Sequence, residues 1–167
     1  KFLEKGINVP VPLVWGEKRT CRFIRESFII TEEIETPTLI EYLKQFKPPI
    51  TPEKDKLKEQ LIIDFAHTLR DAHDRGFFTD DLKASNIMVK TYGDKTIFCF
   101  IDLDGDDCKK HLSIRMITKS LSSLNNSLPD FITKENKLRF LKVYAGYDSN
   151  LFQKLFIRLN KTCPDKK

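Results

Sequence analysis

Two short apolar runs, Ile87-Met88-Val89 and Ile97-Phe98-Cys99-Phe100-Ile101, flank Thr91-Tyr92-Gly93-Asp94-Lys95, and this arrangement constrains the middle of the chain more than any other feature. The runs are strand-like in length and composition, and Gly93 supplies a positive φ at little cost, so an antiparallel hairpin is expected. Asn86 directly precedes the first run and Asp102 directly ends the second. Pairing in register therefore brings an amide and a carboxylate side by side at the open end of the hairpin, where two hard oxygen donors could share one divalent cation.

The residues leading into the hairpin add to this pair. Gly76-Phe77-Phe78-Thr79-Asp80-Asp81-Leu82-Lys83-Ala84-Ser85-Asn86 places an acid and a lysine just upstream of the amide, and Phe100-Ile101-Asp102-Leu103-Asp104-Gly105 carries the second acidic motif. Phosphoryl transfer needs a carboxylate to receive a proton from the attacking hydroxyl, oxygen ligands for magnesium and a cation near the transferring phosphate. Asp81, Asn86, Asp102 and Lys83 can fill those roles. Each alone reads as an ordinary turn residue; the set in this order does not.

A long helix precedes the loop. Thr51 is its expected N-cap and Pro52 its first residue, with Glu53 and Asp55 in the first turn. Leu57, Leu61, Phe65, Leu69 and His73 form its apolar stripe, widened by Ile62 and Ala66, and Gly76 ends it. His73 on that stripe reads as a packed, hydrogen-bonded core histidine, and His67 as exposed. Before this helix, Phe2-Leu3-Glu4-Lys5 is helix-like up to Gly6, Val9-Pro10-Val11-Pro12 must be extended, 21–25 and 27–34 read as two strands, and a short helix spans Thr38 to Phe46. After the hairpin, helices are expected over 111–126, 134–146 and 149–161, with Leu138, Phe140, Leu141 and Tyr144 on the second and Leu151, Phe152, Leu155, Phe156 and Leu159 on the third. The order implies an α+β fold with its chemistry on the loops between the long helix and the hairpin.

At 167 residues the chain suits one domain with a real core, and its 40% hydrophobic and 32% charged content describes a globular protein. No apolar run approaches the ~20 residues of a membrane-spanning helix, and no secretory leader opens the sequence, so a cytoplasmic location is expected. Cys21, Cys99, Cys108 and Cys163 form no C-x-x-C pair, and Cys99 reads as a small buried hydrophobe. A net charge of +5 favours anionic partners without choosing among them. Lys109-Lys110-His111, with Arg115 and Lys119, reads either as a solvated helix start or as a rim that attracts a negatively charged acceptor. Asp102-Leu103-Asp104-Gly105-Asp106 has its glycine too early for a calcium loop, and no basic motif interleaved with aromatics points to nucleic acid.

In these motifs the chain resembles the protein-kinase-like superfamily, and within it the bacterial lipopolysaccharide kinases that phosphorylate Kdo or heptose sugars of the inner core. GFFTDDLKASNIMV resembles their catalytic loop, FIDLDGDD their metal loop and NKLRFLKVYAGY their late Arg-Phe-Leu helix. The resemblance implies ATP and Mg2+, with Asp81 as catalytic carboxylate, Lys83 as phosphate-neutralising cation, and Asn86 and Asp102 as metal ligands. It casts Thr31 to Ile34 as the end of the last N-lobe strand and the hinge, with the backbone of Glu32 and Ile34 holding the adenine edge. Residues 1–34 would be a remnant of a kinase N-lobe and 35–167 the helical C-lobe. A lipopolysaccharide core sugar would be the acceptor, met at the cytoplasmic face of the inner membrane with peripheral contact to its anionic leaflet.

Three departures from the family pattern stand out. Thr79 occupies the position of a usual His, and Asp80 that of a Gly or Arg; Asp80 adds a second negative charge beside Asp81 and cannot pair with a phosphorylated activation loop. No Gly-rich phosphate loop and no strand lysine with its helix glutamate precede Glu32. A truncated or incompletely covered N-lobe is the expected cause, and the fragment is expected to bind nucleotide poorly. The same loop also serves kinases of proteins, aminoglycoside-like antibiotics or other small alcohols, and a pseudokinase or scaffold is the non-enzymatic alternative.

Overall fold

The computed structural model describes residues 1–93, 95–103 and 108–162. A short 3-10 turn, Leu3–Lys5, ends at Gly6 with φ 68°. Two strands follow, β1 (Pro12–Thr20) and β2 (Phe23–Thr31), then α1 (Leu39–Leu43) and α2 (Pro52–Asp74). The hairpin β3 (Ile87–Tyr92) and β4 (Lys95–Phe100) leads to three helices, α3 (Ile114–Ser127), α4 (Lys134–Ala145) and α5 (Ser149–Thr162). Both sheets are two-stranded and antiparallel.

The first hairpin corrects the sequence expectation of strands over 21–25 and 27–34. Thr20 pairs with Phe23, so Cys21 and Arg22 form the turn, and the residues on either side belong to different strands. Cys21 takes φ 56°, a left-handed value that costs a side chain some energy and gives no residue-type signal here. Strand β1 runs through Gly16-Glu17-Lys18, a stretch whose charge hides its strand character.

Helix α2 is the central beam. Thr51 caps it, its hydroxyl accepting from the Lys54 N–H, and Leu61, Phe65, Ala66, Leu69, Ala72 and His73 are buried along one face. Leu57, expected on the stripe, is 59% exposed, whereas the side chain of the next residue, Lys58, turns inward and is 12% exposed. Phe65 meets Phe98 of β4 with ring centroids 4.8 Å apart, and Phe77 meets Phe100 at 4.6 Å, so helix and hairpin share one core. His73 is buried and its Nδ1 lies 2.6 Å from the Tyr144 hydroxyl on α4, as a packed core histidine should; His67 is exposed.

Gly76 stops α2 with φ 88°. A Cβ there would overlap the carbonyl oxygen of Lys109, whose N–H in turn donates to the Gly76 carbonyl at 2.8 Å. The glycine thus turns the chain and seats the segment that follows the second acidic motif. Helix α3 starts at Ile114, with Ser113 as cap, rather than at 111; Lys109, Lys110 and His111 precede it as exposed irregular chain. Helices α4 and α5 match their expected spans closely, although Phe156 of α5 is 41% exposed.

Residues 1–9 pack on the helical body. Ile7 and Val9 are buried, Phe2 stacks edge-on against Phe77 at 5.7 Å, and the Asn8 side chain donates to the Phe98 carbonyl at 2.9 Å. The β1–β2 hairpin differs sharply from this. Trp15, Phe23, Phe28 and Ile29 are 57–74% exposed, and no residue of either strand is buried.

Candidate active site

The hairpin register sets the first part of the site. Ile87 pairs with Phe100, and one step beyond, the Ile101 N–H donates to the Asn86 carbonyl at 2.9 Å. Asp102 then leaves the strand at φ 58°, a left-handed conformation that Asp tolerates better than most residues. Its Oδ2 accepts from Asn86 Nδ2 at 3.3 Å. The amide and carboxylate expected to meet at the open end of the hairpin do so, both accessible to solvent.

Asp81 and Lys83 reach the same place from the loop. Lys83 Nζ lies 2.7 Å and 2.9 Å from the two carboxylate oxygens of Asp81, and Asn86 Nδ2 also donates to the Asp81 backbone carbonyl at 3.3 Å. Asn86 therefore bridges the loop to the hairpin. The 3-10 turn Ala84–Asn86 and the buried anchors Leu82, Ala84 and Ile87 explain the alternation: apolar side chains point into the core, while Asp81, Lys83 and Ser85 stay exposed.

Sequence reasoning did not foresee what holds this loop. Thr79 is 3% exposed, and its hydroxyl accepts the Asp81 N–H at 3.1 Å, so it caps the turn that presents Asp81. The Thr79 carbonyl accepts from Ser120, a fully buried α3 residue, at 3.1 Å. Ser127, at the far end of α3, accepts the Ala84 N–H at 2.9 Å and donates to the Leu124 carbonyl at 2.7 Å. Lys119 of α3 forms an ion pair with Asp80. The spacing of Ser120 and Ser127, two helical turns apart, was the available signal that one face of α3 meets a polar backbone rather than a core.

Glu32 and Ile34 follow β2 directly. The Glu32 N–H donates to the Val11 carbonyl at 2.9 Å, and its side chain accepts the Val11 N–H at 3.1 Å. The Ile34 carbonyl accepts from the Thr36 N–H. The Glu32 carbonyl and Ile34 N–H have no hydrogen-bond partner among the described residues, and neither do the Glu33 backbone groups between them. Asp104, Gly105 and Asp106 of the second acidic motif, Asp94 of the hairpin turn and Cys163 lie outside the described residues.

A divalent cation fits the donor set. Among the described residues no cluster of three or more His, Cys, Asp or Glu could enclose a metal. Magnesium needs no such cage, since it keeps several waters and takes one or two protein oxygens together with substrate phosphates. Asp102 offers a carboxylate, and rotating the Asn86 amide presents its Oδ1 in place of Nδ2. Lys83, paired with Asp81, adds an exposed ammonium group to the set. Such an arrangement can bind a metal-chelated polyphosphate and hold a carboxylate near an incoming hydroxyl.

The mixed architecture of small antiparallel sheets and packed helices fits a kinase-like fold. A solved structure of WaaP in complex with acyl carrier protein superposes with a TM-score of 0.70, covering 96% of this chain and 72% of that one at 23% identity. The chain belongs to the lipopolysaccharide kinase (Kdo/WaaP) family, whose model matches residues 1–144. No curated protein sequence matches it. Membership of a kinase family makes phosphotransfer the reaction class and ATP its expected donor.

Proposed function

We propose that this protein uses ATP and Mg2+ to phosphorylate a sugar hydroxyl of the lipopolysaccharide inner core, on Kdo or heptose. The observation that carries the reading is the hydrogen-bonded set Asp81, Lys83, Asn86 and Asp102, gathered where the loop meets the hairpin. Asp81 is assigned as the carboxylate that orients the acceptor hydroxyl and receives its proton, with Lys83 close enough to counter charge on the transferring phosphate. Asn86 and Asp102 would hold Mg2+, which when bound withdraws charge from the phosphate oxygens. The Glu32 carbonyl and Ile34 N–H are assigned to the adenine edge.

In this reading residues 1–34 are the end of an N-lobe and 35–167 the C-lobe, and the enzyme works at the cytoplasmic face of the inner membrane. Contact with the anionic leaflet would be peripheral in this reading; no helix among the described residues is long and apolar enough to cross a membrane. The test is an acceptor panel with γ-labelled ATP and the full-length enzyme: Kdo- and heptose-containing core oligosaccharides, a generic protein substrate and an aminoglycoside. Label on the core sugars supports the assignment. Label confined to another acceptor moves the protein to the small-alcohol or protein kinases, and no Mg2+-dependent turnover on any acceptor makes it a scaffold.

The WaaP complex with acyl carrier protein suggests a partner as well. Between α2, α3, α4 and α5 lies a cavity of about 660 Å3 lined by Leu61, Phe65, Leu124, Phe140 and Leu159, a size and polarity that suit an acyl chain. We infer that this chain binds an acyl carrier protein, with the carrier's acyl chain entering this cavity. Acylated but not apo carrier protein should raise its melting temperature; equal shifts, or none, reject the docking.

A further inference from the structure

We propose that Lys119 is a positioning residue for phosphoryl transfer, cancelling the charge of Asp80 so that the aspartate next to Asp81 does not repel anionic substrates. The inference rests on the assignment of Asp81 made above. Asp80 and Asp81 are adjacent in sequence, yet each carboxylate has its own cation: Asp81 meets Lys83, and Asp80 meets Lys119 from α3. These four groups sum to zero charge only while Lys119 is present. Without it, the loop faces its ligands with a net negative charge, at the place where a polyphosphate must approach Lys83.

The placement of Lys119 is set by its neighbour. Ser120, with no exposure at all, donates to the Thr79 carbonyl, and the Thr79 hydroxyl accepts the Asp81 N–H. One short stretch of α3 thus holds the backbone just before Asp80 and delivers the lysine to it, while Thr79 itself holds the Asp81 N–H on the other side. Surface ion pairs usually add little stability, and this one is more than half exposed on both sides (58% and 55%), so a stabilising role does not account for it well. Its effect on the field at the adjacent site is the larger consequence, and that effect is sensitive to salt.

The experiment compares Lys119→Met, Lys119→Arg, Asp80→Asn and the double variant Asp80→Asn/Lys119→Met in the full-length enzyme, with Asp81→Asn as control. At low ionic strength, Lys119→Met should lower kcat/KM for ATP about three- to tenfold, mainly through KM, and the deficit should shrink as salt is added. Lys119→Arg should keep most of the activity. The double variant should recover to near the wild-type value, because removing Asp80's charge removes the need for the cation.

A double variant as slow as Lys119→Met, or Lys119→Met within experimental error of wild type at low salt, overturns the proposal. If Asp81→Asn is inactive and Lys119→Met is unaltered, only the role of Lys119 falls. If Asp81→Asn turns over like wild type, the underlying assignment of the site fails instead.

Discussion

Thr79 shows how much a single buried side chain can do for the loop that presents Asp81. It stands where the family pattern usually has a His; its hydroxyl fastens the Asp81 N–H and its carbonyl is fastened to α3. This support could not be read from the sequence, because a buried threonine and an exposed one look alike until α3 is placed beside it. His73 was readable, since its spacing on the α2 stripe required burial. Its environment carries a prediction. Burial disfavours the imidazolium and lowers the His73 pKa from its ordinary 6.5 to about 4. As pH falls below 6.5 the unfolded chain takes up the proton first, so the His73 contribution is complete above that pH and is lost progressively down to about 4. The loss should total about 3 kcal/mol by linkage. Urea unfolding at pH 7, 5.5 and 4.5 should therefore show the stability gap between wild type and His73→Gln changing by an amount of that order. A gap independent of pH would mean that His73 is not held neutral. The Cys99 thiol, pushed up to about 11 by burial in β4, is inert by the same reasoning.

Among the elements, α3 does most to shape the loop. Its apolar residues Leu121 and Leu124 enter the core, while Ser120 and Ser127 hold the backbone at Thr79 and Ala84. Ser127→Ala leaves the Ala84 N–H without its partner inside the fold, a loss of about 1–3 kcal/mol. Chemical denaturation should register that loss, and kcat should fall with it as the Lys83–Asn86 turn loosens. Unchanged stability would show that solvent satisfies the Ala84 N–H equally well. The helices were legible because caps and periodicity agree: Thr51 and Pro52 open α2, and α4 and α5 begin where their patterns do. Hairpin β3–β4 was legible for a similar reason, its turn and its two apolar runs being consistent with one register. The first hairpin was not. Its turn, Cys21-Arg22, carries no Gly, Asn or Asp, and its strands alternate neither burial nor polarity because neither face is covered. Without a buried face there is no pattern of period two to find.

For the whole molecule, the contrast between a packed body and an exposed hairpin has a measurable counterpart. An isolated two-stranded ribbon is marginal in water, whereas α2 and β4 share the main core. Hydrogen exchange should find the amides of residues 13–31 exchanging orders of magnitude faster than those of 61–73; comparable protection would show that the ribbon is covered in solution. The body, by contrast, supplies a rigid junction at which a loop from α2 and the open end of β3–β4 meet. The chemical claim depends on that junction, and Asp81→Asn addresses it most directly. In the full-length enzyme, this isosteric change should lower kcat for phosphate transfer from ATP by about three orders of magnitude, while nucleotide affinity in the presence of Mg2+ stays within about twofold of wild type. Turnover equal to wild type in Asp81→Asn would contradict the account.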